Sequence, residues 1–350
     1  MNLPSALRSL VVFVAIVLVL YALKLPAQAP AAGTQPARVA LFVNGTLGDK
    51  SFFDAAARGM KTAHRDLGMT TRVIEAGLDP TRWESALADA AEGADFDVIV
   101  TGGFAMVSLV QRLAPLYPAK KFIVFDAAVD YVKCRCSNVH AILFRQNEGA
   151  YLAGFLAARA AAAPSLGFVG GMQIPIIEDF FIGFSAGAKA ADPRVQVAHQ
   201  YVNSFTDPAT AKEIAKAMYG QGVALIFQAA AGSGQGVIEA AAERRRPTIG
   251  VDSDQYALFK GPSPELARFI LTSVLKNVDV AIHRALAQHR AGTLKYGTTD
   301  SLGLAEGGVS LATGSELLAT LAPQVREELA AVQRDIASGA VHVPSAFGKH

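Results

Sequence analysis

From Ala37 onward the chain alternates short apolar, β-branched runs with longer stretches whose apolar residues recur at helical spacing. The runs ARVALFVNG, TRVIEAG, DVIVTGG, KFIVFDA and NVHAILFR predict five strands, and LGFVGG, VQVAHQYVN, VALIFQAA, PTIGVDSD and FILTSVL predict five more. Between them, segments such as 51–67 and 146–163 read as helices. Strand, helix, strand repeated this often predicts parallel sheets with helices on both faces. Ten strands exceed one comfortable core, so the pattern predicts two doubly wound lobes dividing near Phe144 to Glu148. The expected boundaries are 37–144 plus 273–293 for the N-terminal lobe, and 145–272 plus 294–350 for the C-terminal lobe. Crossovers are expected near Phe144, between Phe269 and Ser273, and near Leu294. The tail after Ala291 reads as short strands assigned to the second lobe, then one long helix from Glu316 to Ile336.

Several strands end in Asn44-Gly45, Gly102-Gly103, Asp126, Gly170-Gly171, Asn203 and Asp252 to Asp254. In open α/β sheets ligands bind beyond the carboxyl ends of the strands, so these positions are expected to share a crevice.

The N-terminus is different. Arg8, the apolar run from Leu10 to Leu23 and the small-residue stretch PAQAPAAGTQPA form the three regions of a secretory signal, with cleavage expected after Ala31 (signal peptide 1–31). The run is short for a membrane span of about 20 residues, and an uncleaved N-terminal anchor is the alternative. Either reading places the folded part outside the cytoplasm, in the periplasm.

Of the 350 residues 51% are hydrophobic and 18% charged, with a formal net charge of +2. That balance suits a globular protein and supplies no clustered basic surface for nucleic acid. The two cysteines, Cys134 and Cys136, stand two apart; a bridge is permitted outside the cytoplasm, but such a pair on an extended strand is poorly placed for one, and both outcomes stay open. No metal-ligand spacing, Walker A motif or nucleophile elbow occurs, so neither catalysis, a cofactor nor a metal is expected. The glycine-rich turn QAAAGSGQGVIEA departs from a dinucleotide fingerprint at Val237, and its expected use is to offer backbone N–H groups to a ligand oxygen.

The blocks GDKSFFDAAARGM, FIVFDAAVD, NEGAYLAGFLAA, LGFVGGMQIPIIEDFFIGFSAGAKA, VNSFTDPATAKEIAKAMYGQGVALIFQAAAGSGQGVIEAA, IGVDSDQ and ILTSVLKNVDVAI, in this order from Arg38 to about Ala281, resemble the basic membrane protein family of ABC-transporter substrate-binding proteins, of the purine nucleoside receptor type. The resemblance implies a type I periplasmic-binding-protein fold, two doubly wound lobes joined by three crossovers, without enzymatic activity. It implies a monomer that captures a nucleoside, a purine nucleoside first, for an ABC permease; a flavin, a modified nucleoside or a sensor role are alternatives.

The resemblance further implies that Asp49, Phe52 and Phe53, Asp126, Phe180 and Gly232, Asp252 and Lys276 face the ligand. Phe52 and Phe180 suit a sandwich around a flat base. Asp126 suits base N–H donors, while Asp252 and Lys276 suit ribose hydroxyls as acceptor and donor. Phe53 stands where the family block D-K-S-F-N carries Asn, which removes an amide able to pair with a base edge.

Overall fold

The computed structural model describes residues 36–161 and 164–348; the expected signal segment lies outside them. All ten predicted strands form: β1 (Arg38–Val43), β2 (Thr70–Glu75), β3 (Val98–Gly102), β4 (Lys121–Phe125), β5 (Val139–Phe144), β6 (Ser165–Gly170), β7 (Gln196–Tyr201), β8 (Leu225–Ala229), β9 (Thr248–Asp252) and β10 (Ile270–Lys276). Two short ones follow, β11 (Thr298–Leu302) and β12 (Val309–Leu311). They make two six-stranded sheets, ordered β11-β5-β4-β3-β1-β2 and β12-β10-β9-β8-β6-β7. The first is parallel throughout, and in the second only β12 runs antiparallel, beside β10. The central strands are buried along their whole length, as strands covered by helices on both faces must be.

The chain passes between the sheets three times, after β5, after β10 and between β11 and β12. The second and third passages differ from the sequence expectation. β10 stays in the second sheet to Lys276, and β11 belongs to the first sheet rather than the second lobe. Short polar strands such as TTDSL carry no apolar pattern that would assign them to a core, so their sheet is set by register against β5. The expected long C-terminal helix is two, Glu316–Ala319 and Pro323–Ala337, because Pro323 lacks the N–H an unbroken helix needs and instead starts the second.

At the first passage Arg145 ties two crossings together. Its Nε donates to Glu148 Oε1 at 2.6 Å, Nη1 to the Ser301 carbonyl at 2.9 Å and Nη2 to Glu306 Oε2 at 2.5 Å. After the second passage the helix Val278–Arg290 packs on the helix Phe52–Leu67, completing the first core. Gly59 allows that approach, since a Cβ there would lie 2.9 Å from the Asp279 Cα. The helices Gln146–Ala160 and Pro175–Ala191 meet as closely at Gly154, where a Cβ would fall 1.9 Å from the Phe184 carbonyl oxygen.

Cys134 and Cys136 are joined by a disulfide. They do not lie on an extended strand: Cys134 ends a single helical turn, Tyr131–Cys134, and Arg135 follows at φ 54°, which folds the chain back so that the two side chains converge. Among the described residues no helix is long and apolar enough to cross a membrane.

Candidate functional site

The carboxyl ends of both sheets face a common cavity of about 570 Å³, within the usual range for small-molecule pockets. All eight residues singled out in the sequence line it. Asn44, Gly103 and Asn203 from the strand-end list also line it, whereas Gly170 and Gly171 do not. Asp254 instead caps the helix Gln255–Lys260, accepting from the Ala257 N–H at 3.0 Å. Of the seven non-glycine residues with positive φ among the described residues, four (Asp126, Asn203, Ala231 and Asp252) stand at or just past strand ends on the cavity, so backbone strain concentrates there.

The innermost feature is an ion pair. Lys276 Nζ donates to both oxygens of Asp126 at 2.9 Å, with the two side chains only 3% and 8% exposed. The ammonium lies 5.0 Å from the centre of the Phe180 ring and 5.8 Å from those of Phe52 and Phe144. Rings around a desolvated cation add a favourable cation–π contribution. The sequence reading gave Asp126 to a base and Lys276 to a ribose, yet the two are bound to each other, because each is buried and needs a counter-charge. Phe180 is likewise more enclosed than a stacking platform needs. It is 1% exposed, sits edge-on to Phe227 and faces Lys276.

Asp252 lies beside this pair. Burial pushes its carboxyl up to about 6, against the opposing pull of the Lys276 charge and of the Ser51 hydroxyl. Ser51 belongs to the first lobe, so its hydrogen bond to Asp252 joins the lobes, and Ser253 extends the join by donating to the Ser51 carbonyl at 3.1 Å and accepting from Arg58 Nη2 at 3.0 Å.

Asp49 serves its own loop first. Its carboxylate accepts the backbone N–H groups of Ser51, Phe53 and Asp54 at 2.8 to 3.2 Å and so starts the helix Phe52–Leu67. Burial pushes its pKa upward against those bonds. The Phe53 ring packs against Gly45, where an added Cβ would be 3.0 Å from its Cε2. In the glycine-rich turn Gly234 and Gly236 serve packing, the first against Gln228 and the second against Pro208, leaving Gly232 on the cavity wall opposite Asp49.

Sequence reasoning missed the use of Asn44. It follows β1, lines the cavity, and its carboxamide oxygen is buried without a hydrogen-bond partner among the described residues. Buried polar atoms are almost always paired, so an unpaired one on a cavity wall is poised for a ligand. Trp83 was also missed; its indole N–H donates to the Gly77 carbonyl at 2.8 Å while the ring lines the cavity. A lone Trp in a polar stretch offers no pattern that marks it as a wall.

Two doubly wound lobes closing on a cavity at their strand ends define a type I periplasmic binding fold, the fold of proteins that capture small ligands between lobes. Residues 37–346 match the family described as ABC transporter substrate-binding protein PnrA-like. The ABC transporter nucleoside-binding protein BmpA of Lactococcus lactis subsp. cremoris is 30% identical over 314 residues, covering 85% of this chain and 86% of that protein. Basic membrane protein D of Borreliella burgdorferi is 30% identical over 309 residues, 87% of each. An ABC transporter solute-binding protein of Aeropyrum pernix K1 superposes with a TM-score of 0.78 at 28% identity, over 88% of this chain and 94% of that one. The chain belongs to the PnrA-like family of ABC transporter substrate-binding proteins.

Proposed function

We propose that this protein captures a purine nucleoside in the interlobe cavity, outside the cytoplasm, and delivers it as a monomer to an ABC permease for import. The observation that carries the reading is the division of the cavity. Asp126, Lys276 and Asp252 form a charged inner end beside the crossovers, and outward of them Phe52 presents a ring and Asn44 an unpaired carboxamide oxygen. A sugar suits the inner end, where hydroxyls can donate to Asp252 and accept from Lys276. A planar base suits the next position, where a carboxamide offers one donor and one acceptor to a base edge. The Lactococcus relative, described as nucleoside-binding, supports the same ligand class.

Calorimetry with adenosine, guanosine, uridine, free ribose and riboflavin tests this. Saturable binding of the purine nucleosides, and not of ribose, is expected. Riboflavin binding without any nucleoside binding would replace the reading.

A further inference from the structure

The outer end of the cavity, away from the Asp126–Lys276 pair, has a different character from the inner end. In the first sheet the order β4, β3, β1, β2 runs from Asp126 through Gly103 and Asn44 to Leu78 and Trp83, which follow β2. In the second, the order β10, β9, β8, β6, β7 runs from Lys276 and Asp252 to Met172 and Phe205. Charge falls along both walls in the same direction, although Asn203, Ser204 and Thr206 after β7 keep uncharged polar groups beside Phe205. The only ionisable side chains among the described lining residues are Asp49, Asp126, Asp252 and Lys276, none of them at the β2 and β7 end. At the β2 end Leu78 is 59% exposed, a large apolar side chain that lines the cavity yet stays open to water. Trp83 is held by its bond to Gly77, so its ring is a fixed wall.

We propose that this outer end is a separate apolar subsite for a hydrophobic substituent on the base, which makes the preferred ligand a base-substituted purine nucleoside. The inference rests on the nucleoside reading above. With the sugar at the charged inner end, the six-membered ring of a purine points outward, because the glycosidic bond leaves from the five-membered ring. A group on the exocyclic nitrogen at C6 then passes Asn44 and reaches Leu78 and Trp83 on one wall and Met172 and Phe205 on the other. A monosubstituted exocyclic nitrogen keeps one N–H, so the Asn44 oxygen still has a donor to accept from. Apolar side chains that would otherwise face water gain by covering such a group.

Calorimetry of adenosine and N6-benzyladenosine tests the subsite. The wild-type protein is expected to bind N6-benzyladenosine about tenfold more tightly than adenosine. Trp83→Ala, and independently Leu78→Asp at its exposed position, should bring the ratio of the two affinities to about one, whatever they do to adenosine itself. If wild type binds adenosine but binds the benzyl derivative more weakly, or if neither variant changes the ratio, the subsite is refuted and the nucleoside reading stands. If neither compound binds, both readings fall.

Discussion

Ser51 donates its hydroxyl to Asp252 Oδ2 at 2.5 Å, joining the start of a first-lobe helix to the end of a second-lobe strand 201 positions away. Asp252 lines the cavity, so one hydrogen bond connects interlobe closure to the ligand site. Ser51→Ala should leave each lobe's core intact while removing a partner from a buried carboxyl. Small-angle scattering of the ligand-free variant is expected to show a larger radius of gyration than wild type. Identical curves would place the control of closure elsewhere.

Asp252 also predicts a pH dependence. Its native pKa of about 6 lies above the value near 3.9 of an unfolded Asp, so the native state binds the proton more tightly. Stability therefore rises as pH falls from about 6 to about 4, and the ionised form costs about 3 kcal/mol above that window. Binding has the opposite sign, since a ribose hydroxyl needs the ionised acceptor. Adenosine affinity should fall about tenfold between pH 7 and pH 5 and be nearly flat in Asp252→Asn. A flat wild-type profile would remove Asp252 from the sugar site.

Lys276→Met leaves Asp126 buried without its counter-charge. The variant should lose about 3 to 5 kcal/mol of stability. Adding Asp126→Asn should recover part of it by removing the stranded charge. Urea denaturation of wild type, both single variants and the double variant measures this, and additive losses would show that the pair is not coupled.

Asn44→Leu removes the carboxamide and keeps the bulk. Adenosine should bind about three- to tenfold more weakly, the range of one neutral hydrogen bond. Purine riboside, which lacks the exocyclic amine, should change less. Equal losses for both would mean that Asn44 does not read the base.

The fold was largely legible because buried parallel strands are nearly continuous apolar runs, and VALIFQAA or KFIVFDA can hardly be anything else. β11 was not legible as part of the first sheet, since TTDSL is half exposed and owes its place to β5. Residues at strand ends pointed to the cavity, Asp126 and Asp252 among them, while the pairing of Asp126 with Lys276 depends on a three-dimensional approach between positions 150 apart. Asn44 was placed in the crevice by its strand end, but nothing in the sequence tells an asparagine that caps its own turn from one left unpaired. The disulfide turned on the left-handed backbone of Arg135, which composition and spacing do not encode.

The late return of β11 to the first sheet also governs how the molecule can be made. Until residue 302 has been synthesised, β5 is the outer strand of an unfinished sheet, with VHAILF offering its free backbone groups to any other strand. A nascent chain emerges at about 5 to 20 residues per second, so the roughly 150 residues between the two strands leave that edge unpaired for several seconds or more. Folding of the first lobe is therefore tied to completion of most of the second, and a chain truncated before Thr298 should aggregate through β5 rather than fold as an independent lobe.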